Sequence, residues 1–411
     1  MQEVKEGKEG KRRTGEKEIQ KERKVRKIFI IFGLVLMFVF ILVALGFARD
    51  GSLEIQIEPM WMDVYGYDEH VGDIFYYKEK WNAYTSTLEY DITYEPINLN
   101  MKDGLALRAE LTYRKNQWGW GLSGWQFNTD ASETGRVTTP LWQETSTGYI
   151  YYENGVRMWD HTIWPLWNDL EESLCSPVDY FAENKLGIWT ADVFGIRTLA
   201  EKPASQIDFV FGAKLGSLNN ERREGQEQRA YVYYDPEYFS ELPYWPEGYD
   251  WDNYVTLESK SKANYEIMLG PVLGFQGQAK YKRWGIEGFI NQSVLFGNVK
   301  YEGIWEDIDD IWYAEDGDPV GSYLILYGSF PFAKEEKTAV PVTELKLKVL
   351  YDITDNISLS FGSFLSIWWD APVAPEFSLP GNWEAGGGTG WQLQKRTLEF
   401  KGLVVDLKIR L

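Results

Sequence analysis

The feature that most constrains the fold is an alternation of apolar and polar residues over positions 342–369. Two runs, each longer than ten residues, flank a polar triplet at positions 354–356. Successive side chains leave a strand on opposite faces, so both runs predict β-strands, and Asp and Asn between them predict a hairpin turn. Ordinary strands are about 5–6 residues long, whereas a tilted membrane-crossing strand needs about 9–11. The length and the two-faced pattern therefore indicate lipid on one side and water on the other.

Similar alternation recurs from residue 53 to the last residue. Short turns near positions 115, 202, 282 and 355 separate the runs, and long links cover 128–184, 219–253, 301–339 and 371–394. Short periplasmic turns and long outer loops are typical of outer-membrane barrels. Counting 88–113 as one interrupted strand gives ten strands, within a range of eight to fourteen. The sequence thus predicts an all-β membrane protein, a closed antiparallel up-and-down transmembrane β-barrel of about ten strands with long extracellular loops and short periplasmic turns.

The chain divides into three segments by composition. Residues 1–27 form a charged head with eleven Lys and Arg against six Glu, too polar to fold alone. Residues 28–48 are apolar and long enough to span a bilayer. They predict either a signal peptide cut after Ala48 or an uncut signal anchor. Residues 49–411 are the expected barrel, with a net charge of about −25 once the head's +5 is taken from the total of −20.

Several stretches resemble one family in the order in which they occur. They are residues 104–114 with the Trp-rich return after them, 211–215, the Gly-Pro-containing stretch 269–275, 365–370 with its paired Trp, and 400–403. In these the chain resembles the Legionella major-outer-membrane-protein-like, pore-forming barrels. The resemblance implies an outer-membrane pore whose last strand is read by the barrel-assembly machinery. Such barrels usually end in Phe or Trp, and this chain departs from that pattern in ending on Leu411.

Two classes of function remain open at this stage. The first is an outer-membrane barrel that acts as a porin-like passive channel or as a structural envelope protein. The second is an exported, anchored β-sandwich that binds polysaccharide through Trp- and Tyr-rich loops. The expected partners are outer-membrane lipid, the assembly machinery and small ions or solutes. The acidic balance disfavours nucleic acid, which is not expected as a partner.

Charged residues on the polar faces of the strands are the candidates for lining the pore. They are Glu89, Asp91, Arg108, Glu110, Asp208, Lys214, Glu266, Glu344, Lys346, Lys348 and Asp352. An acidic loop is expected at the mouth, and its members are Asp307, Asp309, Asp310 and Asp316. Because a low-dielectric passage focuses the field of such a loop, we expect a weak preference for cations. Leu347 and Phe361, on the other face, are expected to touch lipid.

Catalysis and cofactors are not expected. The chain has two histidines, His70 and His161, and a single cysteine, Cys175. A histidine base or an activated thiol needs a partner close by, and we interpret all three as loop or buried residues without a catalytic role. The acidic loop lacks the EF-hand spacing, so a solvated loop is favoured over a calcium site. The sequence therefore predicts a protein that is not an enzyme and carries no cofactor.

Overall fold

The computed structural model describes residues 51–66, 69–82, 85–137, 141–145, 148–158, 161–163, 178–233, 250–315, 318–377 and 390–411. Within these ranges the strands are β1 (Ser52–Tyr65), β2 (Glu69–Asn82), β3 (Thr87–Leu99), β4 (Gly104–Lys115), β5 (Trp118–Val137), β6 (Leu141–Thr145), β7 (Gly148–Met158), β8 (His161–Ile163), β9 (Val178–Lys202), β10 (Ser205–Tyr233), β11 (Asp250–Tyr265), β12 (Met268–Tyr281), β13 (Trp284–Glu315), β14 (Asp318–Asp352), β15 (Ile357–Phe377) and β16 (Trp391–Arg410). Among the same residues, no helix is long and apolar enough to cross a membrane. The charged head and the apolar segment at 28–48 lie outside the described residues.

The main sheet closes into a ring of antiparallel strands. Its order is β9-β10-β12-β13-β14-β15-β16-β1-β4-β5, and β5 pairs back with β9. β11 prolongs β12 in the same position, because both lie between β10 and β13. The ring therefore has ten positions among the described residues, as the alternation predicted. The fold is a transmembrane β-barrel, and the prediction of a β-sandwich is wrong.

Alternation decides which residues face lipid. On β14 and β15, Leu347 and Phe361 are 57% and 58% exposed, while Lys346 between the outward residues is only 2% exposed. Large apolar side chains are exposed in this way on neighbouring strands as well, for example Leu273, Ile290 and Val405. Since a bilayer is the solvent that covers such a belt, these faces form the lipid-contacting band of the barrel.

One side of the barrel is much taller than the other. β13 and β14 have 32 and 35 residues, and their register continues to the pair Glu315↔Asp318. The opposite strands β1 and β4 have 14 and 12 residues. The prediction of a long link over 301–339 is therefore wrong. Those positions form paired strands above the lipid band, where the lipid-facing side need not be apolar and the alternation weakens.

A smaller sheet lies at the end of the barrel away from the short turns. Its order is β3-β2-β7-β6, with β8 beside β7. Ile97, Leu99 and Met101, at and after the end of β3, are buried in the same apolar cluster as the upper barrel. The treatment of 88–113 as one interrupted strand is thus wrong, because β3 belongs to this sheet and only β4 enters the ring.

Short turns join the strands at the opposite end. Asn116 and Lys282 adopt positive φ angles of 55° and 57° at the β4–β5 and β12–β13 turns. The first and last strands of the ring also meet there, since Leu53 and Leu411 exchange backbone hydrogen bonds of 3.0 and 2.8 Å. This is the end that the sequence analysis assigned to the periplasm.

Candidate functional site

The barrel interior contains most of the residues predicted to line a pore. Eight of the eleven candidates point inward, namely Arg108, Glu110, Asp208, Lys214, Glu344, Lys346, Lys348 and Asp352. They point inward because each occupies a polar position in the alternating pattern of its strand. Each one forms an ion pair with another interior side chain, and whether they line a passage stays a prediction.

Three candidates are placed elsewhere, and their assignment to the pore is wrong. Glu89 and Asp91 are exposed on β3, in the smaller sheet outside the ring. Glu266 lies in the break between β11 and β12 and pairs with the exposed Lys300 at 2.6 Å. Alternation assigns a residue to a face of a strand, but it does not say which sheet the strand joins or where a break reverses the face.

The centre of the interior is Glu58, whose side chain is fully buried. Its carboxylate lies 2.7 Å from the Lys346 ammonium, 2.9 Å from that of Lys348 and 3.3 Å from the Arg108 guanidinium. Lys348 also contacts Asp406 at 2.6 Å. We call these five side chains, together with the charged side chains that pair with them inside the barrel, the interior ion-pair network.

The network extends in two directions from this centre. Lys408 pairs with Glu54 at 2.6 Å and also with Glu287, which reaches Lys348 at 3.4 Å. Each of these ions has an opposite charge in contact, which is the condition for burying charge inside a protein.

A second cluster of charged side chains surrounds Lys214. The Lys214 ammonium lies 3.0 Å from Asp192 and 2.8 Å from Glu344. Trp125 Nε1 donates to Glu344 at 3.0 Å, and Ser123 Oγ donates to Asp192 at 3.1 Å. A cavity of about 20 Å³ remains beside Asp192, which has room for about one water molecule.

Sequence analysis missed half of this network. The missed acids and bases include Glu54, Glu58, Asp192, Glu287, Asp406 and Lys408. Glu54 and Glu58 stand on the polar phase of the first alternating run, and Asp406 and Lys408 do so in the last, so their inward direction was readable. Asp192 sits in an apolar stretch, and nothing in the sequence pairs it with Lys214.

Above the network the interior becomes apolar. β15 leaves the regular ladder at a register shift after Trp368, and residues 371–375 are all buried. This segment reaches the opposite wall, where Asn220 Oδ1 accepts from the Ala374 N–H at 2.7 Å and the Tyr265 hydroxyl donates to the Pro372 carbonyl at 2.7 Å. Because it bridges two walls, the segment occupies the upper lumen.

Aromatic rings seal the same region. Phe377 stacks on Trp305 with ring centroids 5.1 Å apart and packs on Trp391 at 5.2 Å. Tyr301 belongs to the same apolar cluster, and burial raises the pKa of its phenol to about 12. The described upper interior is therefore a packed core rather than a vestibule.

The predicted acidic mouth loop is not a loop. Asp307, Asp309 and Asp310 belong to β13, where they pair with β11 and β14, and Asp316 lies outside the described residues. β13 continues as a strand because partners on both sides satisfy its backbone.

The residues weighed for catalysis contribute no described site. His70 lies in β2 and His161 in β8, in the smaller sheet, while Cys175 lies outside the described residues. In the part of the chain that the structure describes, no group of three His, Cys, Asp or Glu side chains is placed to hold a metal ion.

The fold and its filled interior define a membrane β-barrel. No protein-family model and no curated protein matches the chain. Among solved structures, the outer membrane protease OmpT of Escherichia coli is similar with 9% identity and a TM-score of 0.35, over 89% of this chain and 98% of that one. The toluene transporter TodX of Pseudomonas putida is similar with 7% identity and a TM-score of 0.19, over 89% and 91%. The toluene transporter TbuX of Ralstonia pickettii has 7% identity and a TM-score of 0.17, over 89% and 91%.

These likenesses correct one prediction. The sequence analysis excluded an enzyme, and that exclusion is wrong, because a protease is among the similar barrels. At these identities and TM-scores the neighbours assign no activity, ligand or solute to this chain. None of the three is a Legionella major outer membrane protein, so the family resemblance stays a prediction.

Proposed function

We propose that the protein is a structural outer-membrane barrel, which anchors a tall β-sheet wall at the cell surface and keeps its own lumen closed. The observation that carries the proposal is the interior ion-pair network. Glu58, Lys346 and Lys348 are each at most 3% exposed, so the cross-section at their level is filled by side chains. Barrels of about eight strands are filled in this way, and this ten-position ring has its larger interior occupied by long side chains.

A weakly cation-preferring pore is the alternative proposal. It would require the interior acids to present unpaired charge to a water path. Glu58, Glu287 and Asp406 each contact at least one buried lysine, so their fields are largely cancelled within the wall. The acidic positions of β13 stand in paired strands rather than around an opening. These contacts favour the structural role.

Location and assembly are part of the same proposal. The lipid-facing band, the short turns at one end and the tall wall at the other support insertion into the outer membrane of a Gram-negative-type envelope, with the tall wall outside. We propose that β16, which closes the ring against β1, is the strand that the barrel-assembly machinery reads. The Legionella-type resemblance is consistent with this location.

Entry of a solute into liposomes tests the closed lumen. The refolded protein is reconstituted beside an established open porin at equal protein-to-lipid ratio, and swelling is followed in arabinose. We expect swelling no faster than in protein-free liposomes. Swelling at a rate comparable to that of the porin would replace the structural proposal with the pore.

A further inference from the structure

Basic residues are concentrated at the short-turn end of the barrel. The end of β9 carries Lys202, and the β12–β13 turn carries Lys282 and Arg283. The β9–β10 and β12–β13 turns are neighbours, because β10 pairs with β12. Arg197 lies on β9 shortly before the first of these turns. All four side chains are exposed, and we call Arg197, Lys202, Lys282 and Arg283 the basic arc.

Arg197 points away from the lumen. Its two neighbours on β9 point inward, since Ile196 is buried and the Thr198 hydroxyl donates to the interior carboxylate of Asp208 at 2.8 Å. Successive side chains leave opposite faces of a strand, so Arg197 lies on the outer face. Leu199, closer to the turn, is apolar and 56% exposed. Arg197 therefore stands within the edge of the lipid band rather than in the water below it.

Aromatic side chains set the height of the basic arc. Trp118, Tyr281 and Trp284 are exposed at this end of the barrel, and exposed Trp and Tyr of membrane proteins lie at the level of the lipid headgroups. The Arg197 guanidinium lies 5.2 Å from the centre of the Trp118 ring. The Lys282 ammonium lies 5.4 Å from the centre of the Tyr281 ring. Because a cation is attracted to an aromatic face, these contacts keep both cations at headgroup level.

The basic arc lacks counter-ions of its own. In the part of the chain that the structure describes, none of its four cations forms an ion pair with an acid. The interior acids at this end are already paired with interior cations. Two exposed acids stand nearby, Glu201 beside Lys202 and Asp355 in the β14–β15 turn. Four cations against two acids leave an excess of positive charge at the edge of the lipid band.

Phosphate is the anion that a bilayer offers at this level. A planar guanidinium donates two parallel hydrogen bonds to a phosphate, and an ammonium adds a point charge. Lysine and arginine clustered beside a membrane attract anionic lipids for this reason. Since the basic arc has excess positive charge, it favours a lipid whose headgroup is negative over one whose headgroup is zwitterionic.

We propose that the basic arc binds the phosphate groups of anionic phospholipids in the leaflet at the short-turn end of the barrel. Arg197 is the principal ligand, because it lies on the lipid-facing surface and has no acid to neutralise it. Lys282 and Arg283 bind from the neighbouring turn, and Lys202 adds charge between them. The bound lipids would hold this end of the barrel at the membrane surface. The inference goes beyond the proposed structural role and does not depend on a closed lumen.

The test is a titration of the full chain in nonionic detergent with phosphatidylglycerol that carries a pyrene label on its acyl chain. Binding is followed by energy transfer from tryptophan, and phosphatidylcholine with the same label is the uncharged reference. The variant carries Arg197→Gln, Lys282→Gln and Arg283→Gln. Its matched control removes three exposed cations that pair with acids above the lipid band, through Lys102→Gln, Lys262→Gln and Lys334→Gln.

We expect the unmodified chain to bind phosphatidylglycerol about tenfold or more tightly than phosphatidylcholine. The variant should lose this preference and the control should keep it. The preference of the unmodified chain should also shrink as the salt concentration rises, because salt screens exposed charges. Native folding of all three proteins is verified by heat-modifiable gel mobility.

Four outcomes would overturn the inference. Equal affinity of the unmodified chain for the two lipids would mean that the basic arc is a solvated surface. The same preference in variant and control would assign it to other cations. Displacement of the lipid by inorganic phosphate at equal concentration would make the ligand a free anion. A preference that salt leaves unchanged would exclude recognition by charge, even if the variant failed to fold. None of these results bears on the lumen, because liposome swelling measures that separately.

Discussion

At the scale of residues, Glu58 determines whether the interior is stable. Three cations contact its carboxylate, and no water layer screens them, because Lys346 and Lys348 are almost completely buried. Removing one member of a buried ion pair leaves uncompensated charge, which costs far more than the intact pair contributes. The stability of the barrel therefore depends strongly on this acid.

The first prediction concerns Glu58→Gln. We expect the free energy of unfolding to fall by about 3–5 kcal/mol, since Lys346 and Lys348 then remain buried with fewer acids. Urea titration of the refolded barrel, followed by tryptophan fluorescence, measures the change. Glu399→Gln is the matched control, because that acid pairs at the surface with Lys401, and it should cost at most about 1 kcal/mol. Similar losses in both variants would show that the network does not stabilise the fold.

The second prediction concerns Leu347→Arg. The side chain is 57% exposed on the lipid-facing band, so a charge there should cost about 2–4 kcal/mol of barrel stability. Glu335→Arg on the same strand lies above the band and should cost about 0–1 kcal/mol. The same urea titration in lipid vesicles compares the two. A cost for Glu335→Arg as large as that for Leu347→Arg would place the edge of the bilayer elsewhere.

At the scale of elements, the upper part of β15 departs most from a regular barrel strand. Its residues after Trp368 stay paired with β16 but also contact the opposite wall through Asn220 and Tyr265. Consecutive buried residues at 371–375 follow from this double contact, because a segment between two walls has no solvent face. The alternating pattern is lost for the same reason.

The third prediction concerns Asn220→Ala. Asn220 is fully buried, accepts from the Ala374 N–H and donates to Asn184 Oδ1 at 2.7 Å. Its loss leaves buried groups unsatisfied at about 1–3 kcal/mol. We expect faster amide hydrogen exchange over residues 371–377, measured by mass spectrometry, with residues 345–349 unchanged. Asn264→Ala, at an exposed position of β11, is the control. Unchanged exchange at 371–377 would mean that Asn220 does not hold the segment.

The sequence predicts which face of a strand a side chain occupies better than it predicts which side chains that residue will contact. Lys346 was assigned to the inner face correctly, because period-two alternation is a local property. Its partner Glu58 lies 288 positions away, and no local pattern connects the two. The lengths of β13 and β14 were underestimated, because the alternation of apolar and polar residues weakens where these strands leave the bilayer. Ring closure, by contrast, followed from the number of runs and turns.

At the scale of the whole molecule, an uneven barrel has a lower half filled by ion pairs and an upper half filled by apolar side chains. Both layers occupy the same lumen, and the cavity beside Asp192 and Arg108, among the ion-paired residues, has room for about one water molecule. The tall wall extends above the lipid band on one side only. These features support the proposed membrane anchor with a surface-exposed wall over the alternative of a conduit.

Single-channel recording in planar bilayers tests that account most directly. The refolded chain is inserted at high salt, where surface charge is screened and only the lumen limits current. Insertion is verified independently by protease protection of the lipid-facing band. We predict insertion without discrete conductance steps. Stable steps of uniform size from the inserted, unmodified chain would contradict the account, since no ion passes a lumen filled as Glu58, Lys346 and Lys348 fill it.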